Sequence, residues 1–597
     1  MIMPCTRLPP TPPGSARQAG KDFWSSRFTI MKKLINRLDD IVPELLRGYV
    51  WQHPQLSLLK ETNIVVRADL DAFRRQGKVA LVTGGGSGHE PAHAGYVGPG
   101  MLTAAVAGNV FASPSTDAVL QAIRAVATPA GVLLIVKNYT GDRLNFGLAA
   151  EIAKAEGIAV EMVVVADDVA LASHDDHAGR RGIAGTVLVH KVAGAAAEHG
   201  LPLATVRARA EAAMAALASM GVALSPCTVP AAGQPNFHLA DDAVELGLGI
   251  HGERGVAMVA WQPAAALVDQ LLDAVLSSPA LSRPGPVALL VNNLGATPPM
   301  ELAIVTGDAM RALEARGYSV ARVWSGPCLT ALDMAGVSLS VMALDDAALL
   351  AALDAPTLAP AWPGPGQVNP QRERVEATAA PRVVAGATAG RRSAALLPAV
   401  AAACQALLVA EPRLTQLDQA VGDGDIGRSL SLGAQALLAD LAGLGEHDDV
   451  TRLQAMAQRV REVVGGTSGP LYAIVLMAAA GALAKTENGL PTADPMLAAC
   501  QAAVTAVSTL GGARAGDCTM LDALLPALQA LADTTGAPAT RWHHAAVAAA
   551  HGAAATVHML PRRGRASYLG QRAIGHPDPG AEAVAIWLRA VADALAT

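Results

Sequence analysis

Residues 79–91 read VALVTGGGSGHEP, and this stretch decides the fold prediction. Val79 to Thr83 is a short β-branched, apolar run without polar alternation, and a glycine-rich segment begins directly after it at Gly84. Runs of this kind, bounded by glycine, are typical of strands that are buried on both faces. The stretch therefore predicts a buried strand followed by a glycine-rich turn.

The same pattern recurs along the first part of the chain. Similar runs occupy Val132–Val136, Val160–Val165 and Val287–Val291, and helical patterns separate them. Alternating strands and helices indicate an α/β fold with largely parallel sheets, whose active groups lie at the carboxyl ends of the strands. We predict such a fold from Lys78 to about Leu349.

The chain changes character beyond this α/β part. Residues 357–385 are rich in proline and charge, which is typical of a linker. Residues 386–597 contain Ala/Leu-rich helical stretches separated by Gly- and Asp-rich loops, which indicates an all-helical domain. We predict a disordered extension over 1–30 and the α/β domain over 31–356.

Composition excludes several classes of function. The 597 residues have a net charge of -6 and only 16% charged residues, so nucleic acid is not an expected partner. The six cysteines lack C-x-x-C spacing, which fits neither a disulfide framework nor a zinc site. The first thirty residues lack the apolar core of a secretory signal. We expect a cytoplasmic protein.

A membrane segment is the competing interpretation of the mean hydropathy of +0.33. The best candidate is Ser393 to Ala410, which carries no charge. Pro398 and Gln405 interrupt this segment, and a buried helix of a large bundle has the same composition. We expect no membrane partner.

Three loops of the α/β half offer chemistry at predicted strand ends. Gly86, Ser87, Gly88 and His89 follow the first strand, and His89 occupies the position of the third glycine in a dinucleotide fingerprint. No Walker A lysine follows either. Backbone N–H groups here could approach a small oxygen-rich ligand, with His89 as a base. A tight turn with a capping serine is the structural alternative.

The other two loops allow similar alternatives. Lys137 and Asp142 follow the strand at 132–136 and could bind hydroxyl groups, although a surface ion pair has the same spacing. His251 lies among four glycines, where it has little packing role. Functional and structural interpretations of these loops stay open on the residues alone.

The helical half contains a candidate metal site. Asp418, Asp423 and Asp425 lie in LDQAVGDGDIG, whose glycines bend the chain so that three carboxylates can converge. Such carboxylates repel one another unless a cation lies between them, and Mg²⁺ is typical when phosphates complete its shell. The closing Glu of an EF-hand is absent. We favour a metal over a solvated acidic turn.

Three more loops of this half resemble anion-binding helix starts. They are 465–470, 511–520 and 576–580, and the first places two hydroxyl groups at a helix N-terminus. Each alone is an ordinary helix cap. Together with the aspartates they suggest a Mg²⁺–nucleotide site without a P-loop.

These segments together resemble the ATP-dependent, single-chain dihydroxyacetone kinases. The resemblance rests on GGGSGHEPAHAGYVGPGML, VKNYTGDRLNFGLAAEIA, ELGLGIHGE, LDQAVGDGDIG, GGTSGPLYA, GDCTMLDAL and GRASYLGQRAIGHPDPGA, which occur in family order. It implies a ketose-binding half with two α/β subdomains, joined to an all-α, eight-helix barrel that binds ATP and Mg²⁺. It also implies a homodimer.

The resemblance assigns roles in both halves. His251 would hold the ketose carbonyl as a hemiaminal, His89 and Asp142 would be the acid/base pair, and the triose would be surrounded by Gly86, Ser87, Gly88, His89, Lys137 and Asp142. Mg²⁺ would bind Asp418, Asp423 and Asp425. Nucleotide contacts would come from Ile426, Gly427, Arg428, Ser429, Thr467, Ser468, Gly511, Thr519, Met520, Arg563, Asp578, Pro579 and Gly580.

The chain departs from the family pattern at two positions. Ile426 stands where relatives often have histidine or a small polar residue, and Arg254 stands where proline is usual. These two departures concern the nucleotide contacts and the stiffness of the loop after His251. Two other functions remain open: a phosphotransferase that depends on a phosphocarrier protein, and a non-catalytic triose sensor. The fused helical half argues against the first, and the intact aspartates argue against the second.

Overall fold

The computed structural model describes residues 32–170, 179–235, 237–370, 390–487 and 494–596. The chain divides into two compact units, the first ending at Arg374 and the second beginning at Val375. The predicted extension over 1–30 and the linker from 371 to 385 lie outside the described residues.

The first unit contains two six-stranded sheets. The first sheet consists of β1 (Leu56–Leu58), β2 (Ile64–Arg67), β3 (Ala80–Ser87), β4 (Ala104–Val110), β5 (Val132–Lys137) and β6 (Val160–Val165), in the order β1-β2-β4-β3-β5-β6. Its strands β4, β3, β5 and β6 are parallel, whereas β1 and β2 pair antiparallel. The helices of this part are α1 (Ile41–Gln52), α2 (Leu70–Gln76), α3 (Thr116–Val126), α4 (Thr140–Ala155), α5 (Thr186–Glu198) and α6 (Leu203–Ala215).

The central strands of this sheet are buried on both faces, as the apolar runs predict. Along β5, Leu133 and Ile135 belong to one apolar cluster, whereas Val132, Leu134 and Val136 belong to another. Alternate side chains of a strand point to opposite faces, so each face packs against its own core. A continuous apolar run therefore becomes a central strand.

The second sheet is mostly antiparallel, so the prediction of largely parallel sheets is wrong here. It consists of β7 (Leu217–Ala223), β8 (Ala243–Leu246), β9 (Ala257–Ala260), β10 (Pro286–Asn293), β11 (Ser319–Gly326) and β12 (Gly336–Ala343), in the order β11-β10-β12-β7-β8-β9. Among the described strands of this sheet, only β10 and β11 pair in parallel. An apolar run indicates that a strand is buried on both faces, but it does not indicate the direction of the neighbouring strands. Its helices are α7 (Ala264–Leu276), α8 (Pro299–Ala315) and α9 (Ala347–Asp354).

The first part of the predicted linker is anchored to the first unit. Leu358 donates its backbone N–H to Pro99 O at 3.0 Å, and Ala361 donates to Gly95 O at 2.9 Å. Trp324 Nε1 donates to Gly364 O at 2.8 Å. The backbone groups of this proline-rich segment lie outside helices and strands, and they find hydrogen-bond partners elsewhere in the first unit.

The described part of the second unit is an all-α barrel of eight α-helices, which confirms the predicted fold class. They are α10 (Leu396–Val421), α11 (Ile426–Leu444), α12 (Asp449–Val463), α13 (Ser468–Glu487), α14 (Pro495–Gly511), α15 (Leu521–Asp533), α16 (Pro538–Ala555) and α17 (Pro579–Ala596). Each helix packs against the next, and α17 packs against α10, which closes the ring.

This ring places alternate loops at one end. Neighbouring helices joined by short loops run antiparallel, so the loops after α10, α12, α14 and α16 share an end of the barrel. The sequence-predicted metal and nucleotide residues lie in these loops or in the helix turns that adjoin them.

Two barrel helices are long and apolar enough to cross a membrane by length and composition. They are Leu396–Val421, which includes most of the segment considered above, and Ser468–Thr486. Both pack against two neighbouring helices in the ring. Helices in the ring of a barrel meet the same criterion, so this finding is weak evidence for a membrane segment.

Candidate active site

The glycine-rich segment of the first unit begins inside β3, not after it. β3 continues to Ser87, because Gly84 to Gly86 keep pairing with β4. A side chain at Gly86 would clash with the segment that follows β4, because its Cβ would lie 2.6 Å from the backbone N of Ala112. The chain then turns at Gly88, whose φ is +102°. The turn places His89 at the carboxyl end of the strand.

His89 and His251 meet directly, although 162 residues separate them. Their Nε2 atoms lie 3.1 Å apart. His89 Nδ1 lies 2.7 Å from the carbonyl oxygen of Thr330, and His251 Nδ1 lies 2.7 Å from Oε1 of Glu253. The rings of Phe111 and Tyr139 pack edge-on against His251 at 5.0 and 4.8 Å.

These contacts determine where the protons lie. A carbonyl oxygen and a carboxylate only accept hydrogen bonds, so both Nδ1 atoms donate. Two neutral rings would then face each other with lone pairs on both Nε2 atoms. A hydrogen bond at 3.1 Å requires one proton between them. Burial, with Lys137 and His251 nearby, holds the pKa of His89 well below its usual value.

Lys137 and Asp142 lie beside the same glycine segment. A Cβ on Gly85 would lie 3.2 Å from Lys137 Nζ and 3.7 Å from Asp142 Oδ2. Both side chains are buried, and Lys137 Nζ has no hydrogen-bond partner among the described residues. Burial lowers the pKa of Lys137, while Asp142 acts in the opposite direction. An unsatisfied buried amine is suited to bind a polar ligand.

The predicted substrate residues therefore share one end of the first sheet. One of them has an internal partner: Ser87 Oγ donates to Gly108 O at 2.7 Å, so its hydroxyl proton stabilises the turn. His89 contacts His251, whereas Asp142 lies beside Gly85 with Lys137. Together these groups offer a nucleophilic nitrogen, a base and a cation.

In the second unit, the three predicted aspartates converge. Carboxylate oxygens of Asp418, Asp423 and Asp425 all lie within 4.8 Å of one another. Asp418 lies in the last turn of α10 and is buried, and its Oδ2 accepts the backbone N–H of Ile426 at 3.2 Å. Burial and the charges of Asp423 and Asp418 raise the pKa of Asp425. Three hard oxygen donors that repel one another fit a divalent cation such as Mg²⁺.

The remaining predicted nucleotide residues lie in the other loops at this end of the barrel or in the helix turns that adjoin them. Ile426, Gly427, Arg428 and Ser429 form the first turn of α11, and Thr467 and Ser468 lie at the start of α13. A Cβ on Gly466 would lie 3.6 Å from Asp425 Oδ2, one on Gly580 would lie 3.6 Å from Met520 Cβ, and one on Gly512 would lie 3.8 Å from Arg563.

Asp578 has a structural role that the sequence did not reveal. Its Oδ1 accepts the backbone N–H of Ala581 at 2.7 Å, and its own N–H donates to Thr556 Oγ1 at 2.8 Å. The carboxylate thus caps the start of α17. Burial and the charges of Asp522 and Asp418 raise its pKa to about 7.

Sequence reasoning missed three residues that organise these loops. Arg565 forms an ion pair with Asp423, while the sequence directed attention to Arg563. Asp522 accepts the N–H groups of Gly516 and Thr519 at 2.5 and 2.8 Å, which shapes the loop before α15. Glu253 is the third. Its position two residues after His251 in a glycine-rich loop was the available signal.

Family models match both units of the chain. A Dak1 domain matches residues 47–361, and a DAK2 domain matches residues 420–593. The chain belongs to the dihydroxyacetone kinase family. Its two domains occur in one chain, so the predicted membership in the fused form of the family is confirmed.

Known proteins of this family match nearly the whole chain. It is 46% identical to a putative 3,4-dihydroxy-2-butanone kinase of Solanum lycopersicum, over 94% of this chain and 98% of that protein. It is 44% identical to the triokinase/FMN cyclase of Homo sapiens, over 94% and 99%. Among solved structures, the dihydroxyacetone kinase of C. freundii in complex with AMP-PNP and Mg²⁺ matches with a TM-score of 0.60 and 38% identity, over 94% and 99%.

Proposed function

We propose that this kinase transfers the γ-phosphoryl group of ATP to dihydroxyacetone or a similarly short ketose, which it holds as a hemiaminal on His251. The observation that supports this most directly is the partly buried contact between the Nε2 atoms of His251 and His89. A ketone that enters between the rings meets a nucleophilic nitrogen and a proton source. The substrates named for the relatives above fit this chemistry, because dihydroxyacetone and 3,4-dihydroxy-2-butanone both contain a ketone.

Capture of the substrate balances as an addition. With the shared proton on His89 Nε2, the lone pair of His251 Nε2 forms a bond to the carbonyl carbon and the π pair of the carbonyl moves to oxygen. That oxygen then takes the proton from His89 Nε2. Glycerol has no carbonyl and cannot undergo this reaction. Chemistry, not shape alone, thus selects ketose over polyol.

Lys137, Asp142 and His89 act on the hydroxyl groups of the captured ketose. Lys137 donates hydrogen bonds to a substrate oxygen, which satisfies its buried ammonium group. His89 and Asp142 are the acid/base pair that takes the proton of the reacting hydroxyl. Its oxygen then bonds to the γ-phosphorus as the bond to the β–γ bridging oxygen breaks.

The second unit binds the nucleotide. Asp418, Asp423 and Asp425 hold Mg²⁺, which neutralises phosphate charge. The first turn of α11, Thr467 and Ser468 at the start of α13, and the loop ending at Met520 offer N–H and hydroxyl donors to the phosphates. The predicted contacts of Gly511, Arg563 and the 578–580 turn complete this proposal.

Two assays test the function. Purified chain with ATP and Mg²⁺ alone phosphorylates dihydroxyacetone but not glycerol; turnover only after addition of phosphocarrier proteins would favour the rival phosphotransferase. With dihydroxyacetone labelled at C2 by ¹³C, the carbonyl resonance changes from an sp² to an sp³ position in wild type but not in His251→Asn. Capture without turnover in any mixture would favour the sensor.

Two variants distinguish the proposed role of the first unit from that of the second. Asp425→Asn keeps the adduct and loses phosphoryl transfer, whereas His251→Asn loses the adduct and keeps binding of ADP with Mg²⁺. The proposed homodimer and cytoplasmic location are checked by light scattering on the purified chain and by cell fractionation. A monomer in light scattering would contradict the proposed homodimer.

A further inference from the structure

The side chain of Glu253 makes two contacts with His251, the residue proposed above to capture the ketose. Its Oε1 accepts the hydrogen bond of His251 Nδ1 at 2.7 Å, and its Oε2 accepts the backbone N–H of the same residue at 3.0 Å. One carboxylate thus holds both the ring and the main chain of a single histidine. This geometry fixes the ring orientation as well as the side from which Nε2 is presented.

The surroundings of Glu253 hold the carboxylate in this position. Oε2 of Glu253 and Nη1 of Arg181 occupy the space beside Gly249 where a Cβ would lie. Arg181 is itself fixed, because it pairs with buried Asp168 at 2.7 Å and donates to Gly247 O at 2.6 Å. The glycine loop is therefore packed around the carboxylate and the guanidinium.

The carboxylate is ionised in this environment. Burial alone would raise the pKa of Glu253, but the hydrogen bond and the electrostatic interaction with His251 outweigh it and lower the pKa to about 2. An ionised carboxylate has no proton to donate, so Nδ1 of His251 carries the hydrogen in this contact.

We propose that Glu253 is a positioning residue: it fixes the Nδ1–H form of His251, which directs Nε2 toward the ketone, and it neutralises the ring when Nε2 bonds to carbon. This inference rests on the proposed function. On addition, the nitrogen pair becomes the N–C bond, so the ring gains a positive charge while it keeps Nδ1–H. Glu253 carries the matching negative charge at hydrogen-bond distance, without touching the substrate.

Glu253→Gln tests the role because it keeps the size and removes the charge. We expect the equilibrium constant for the ¹³C adduct to fall about 10- to 100-fold, the range for one charge-assisted hydrogen bond. The ratio kcat/KM for the ketose falls with it, while KM for ATP is unchanged. Glu253→Asp, which restores the charge on a shorter arm, recovers part of the loss.

Glu245→Gln is the matched control. Glu245 is also a buried carboxylate that orders this loop, since its Oε1 accepts the backbone N–H of Gly255 at 2.7 Å, but it does not bind the His251 ring. If both variants lost the adduct equally, loop order would explain the effect and the inference would be overturned. It would also be overturned if Glu253→Gln formed the adduct as wild type does.

A second measurement does not depend on the Glu253 variants or on the reaction. In ¹⁵N-histidine spectra of the ligand-free wild type, the resonance that His251→Asn removes must show a protonated Nδ1. An unprotonated Nδ1 would overturn the inference even if the enzyme were active. Absence of any adduct in wild type would instead overturn the proposed function, so the two failures are distinguishable.

Discussion

Replacing one aspartate of the acidic cluster should stabilise the metal-free chain while it destroys metal binding. Asp425→Asn is the informative change, because Asp418 also binds the N–H of Ile426 and Asp423 also pairs with Arg565. The variant keeps the shape of the side chain and removes one of three mutually repelling charges. Stability and function therefore change in opposite directions.

The size of the effect follows from the distances. At 4.8 Å, the outer limit of the cluster, two unit charges in water repel by about 0.9 kcal/mol. Asp425 is exposed, so this aqueous value applies, and physiological salt reduces it by roughly half. Two repulsions removed thus give a gain of about 1 kcal/mol in unfolding free energy, or a rise in Tm of about 2–4 °C for a unit of this size.

Calorimetry in EDTA, and again with ADP and Mg²⁺, measures both changes. The transition of the second unit is the one that the ligands raise in wild type. In Asp425→Asn the Tm of this transition in EDTA is higher than in wild type, and it no longer rises when ADP and Mg²⁺ are added. Glu446→Gln is the control, since that carboxylate is 96% exposed and lies outside the cluster. A variant that melts below wild type in EDTA, or that keeps the ligand shift, would refute the reasoning.

Three further predictions concern packing and charge. Gly85→Ala places a Cβ 3.2 Å from Lys137 Nζ, so we expect kcat/KM to fall about tenfold with little change in Tm. The Cβ of Gly86→Ala would instead lie 2.6 Å from a backbone atom, so we expect the free energy of unfolding measured with denaturant to fall by about 1–3 kcal/mol. Arg452→Ala leaves buried Asp449 unpaired and lowers the unfolding free energy by about 3–5 kcal/mol. Burial raises the pKa of Asp167 to about 6 from 3.8, so the native state keeps the proton of this carboxyl to a higher pH than the unfolded state does. The protonated carboxyl therefore contributes to stability at low pH. This contribution, on the order of 1–3 kcal/mol, is lost as pH rises from 4 to 6.

Each of these has a control and a contrary outcome. Equal losses of stability in both glycine variants would contradict the claim that Gly86 faces rigid backbone whereas Gly85 faces a side chain. Arg461→Ala, on the exposed side of the same helix as Arg452, should cost little, and an equal cost would contradict the buried ion pair. The pH effect of Asp167 is measured as the difference from Asp167→Asn; a difference that stays constant between pH 4 and 7 would contradict the raised pKa.

The sequence pattern predicted those features that depend on interactions between residues close together in the chain. The run at Val132–Val136 became the core of β5 because alternate side chains serve two apolar clusters. Asp418, Asp423 and Asp425 converge because the intervening chain bends at glycines, including Gly424 with a φ of +76°. These features need only short-range geometry, so a single sequence suffices to predict them.

Long-range pairings were not predictable on the same basis. Thr330 lies 241 residues from His89, and Arg565 lies 142 residues from Asp423. No periodicity or spacing encodes such a meeting, because tertiary packing decides it. Strand direction is a similar case. The apolar run in β10 indicated burial on both faces, but its neighbour β12 runs antiparallel to it.

Both candidate sites contain groups that the ligand-free chain leaves in conflict. In the first unit, two imidazoles with committed Nδ1 atoms face each other through Nε2, so that a single proton must serve both rings; in the second, three carboxylates crowd within 4.8 Å. A folded chain normally avoids such arrangements, and those that persist occur where a ligand relieves them. A ketone adds to one imidazole, and a divalent cation lies between the carboxylates. The same reasoning implies that neutral replacements at either site stabilise the empty protein and abolish its chemistry, which is the trade-off that Asp425→Asn measures.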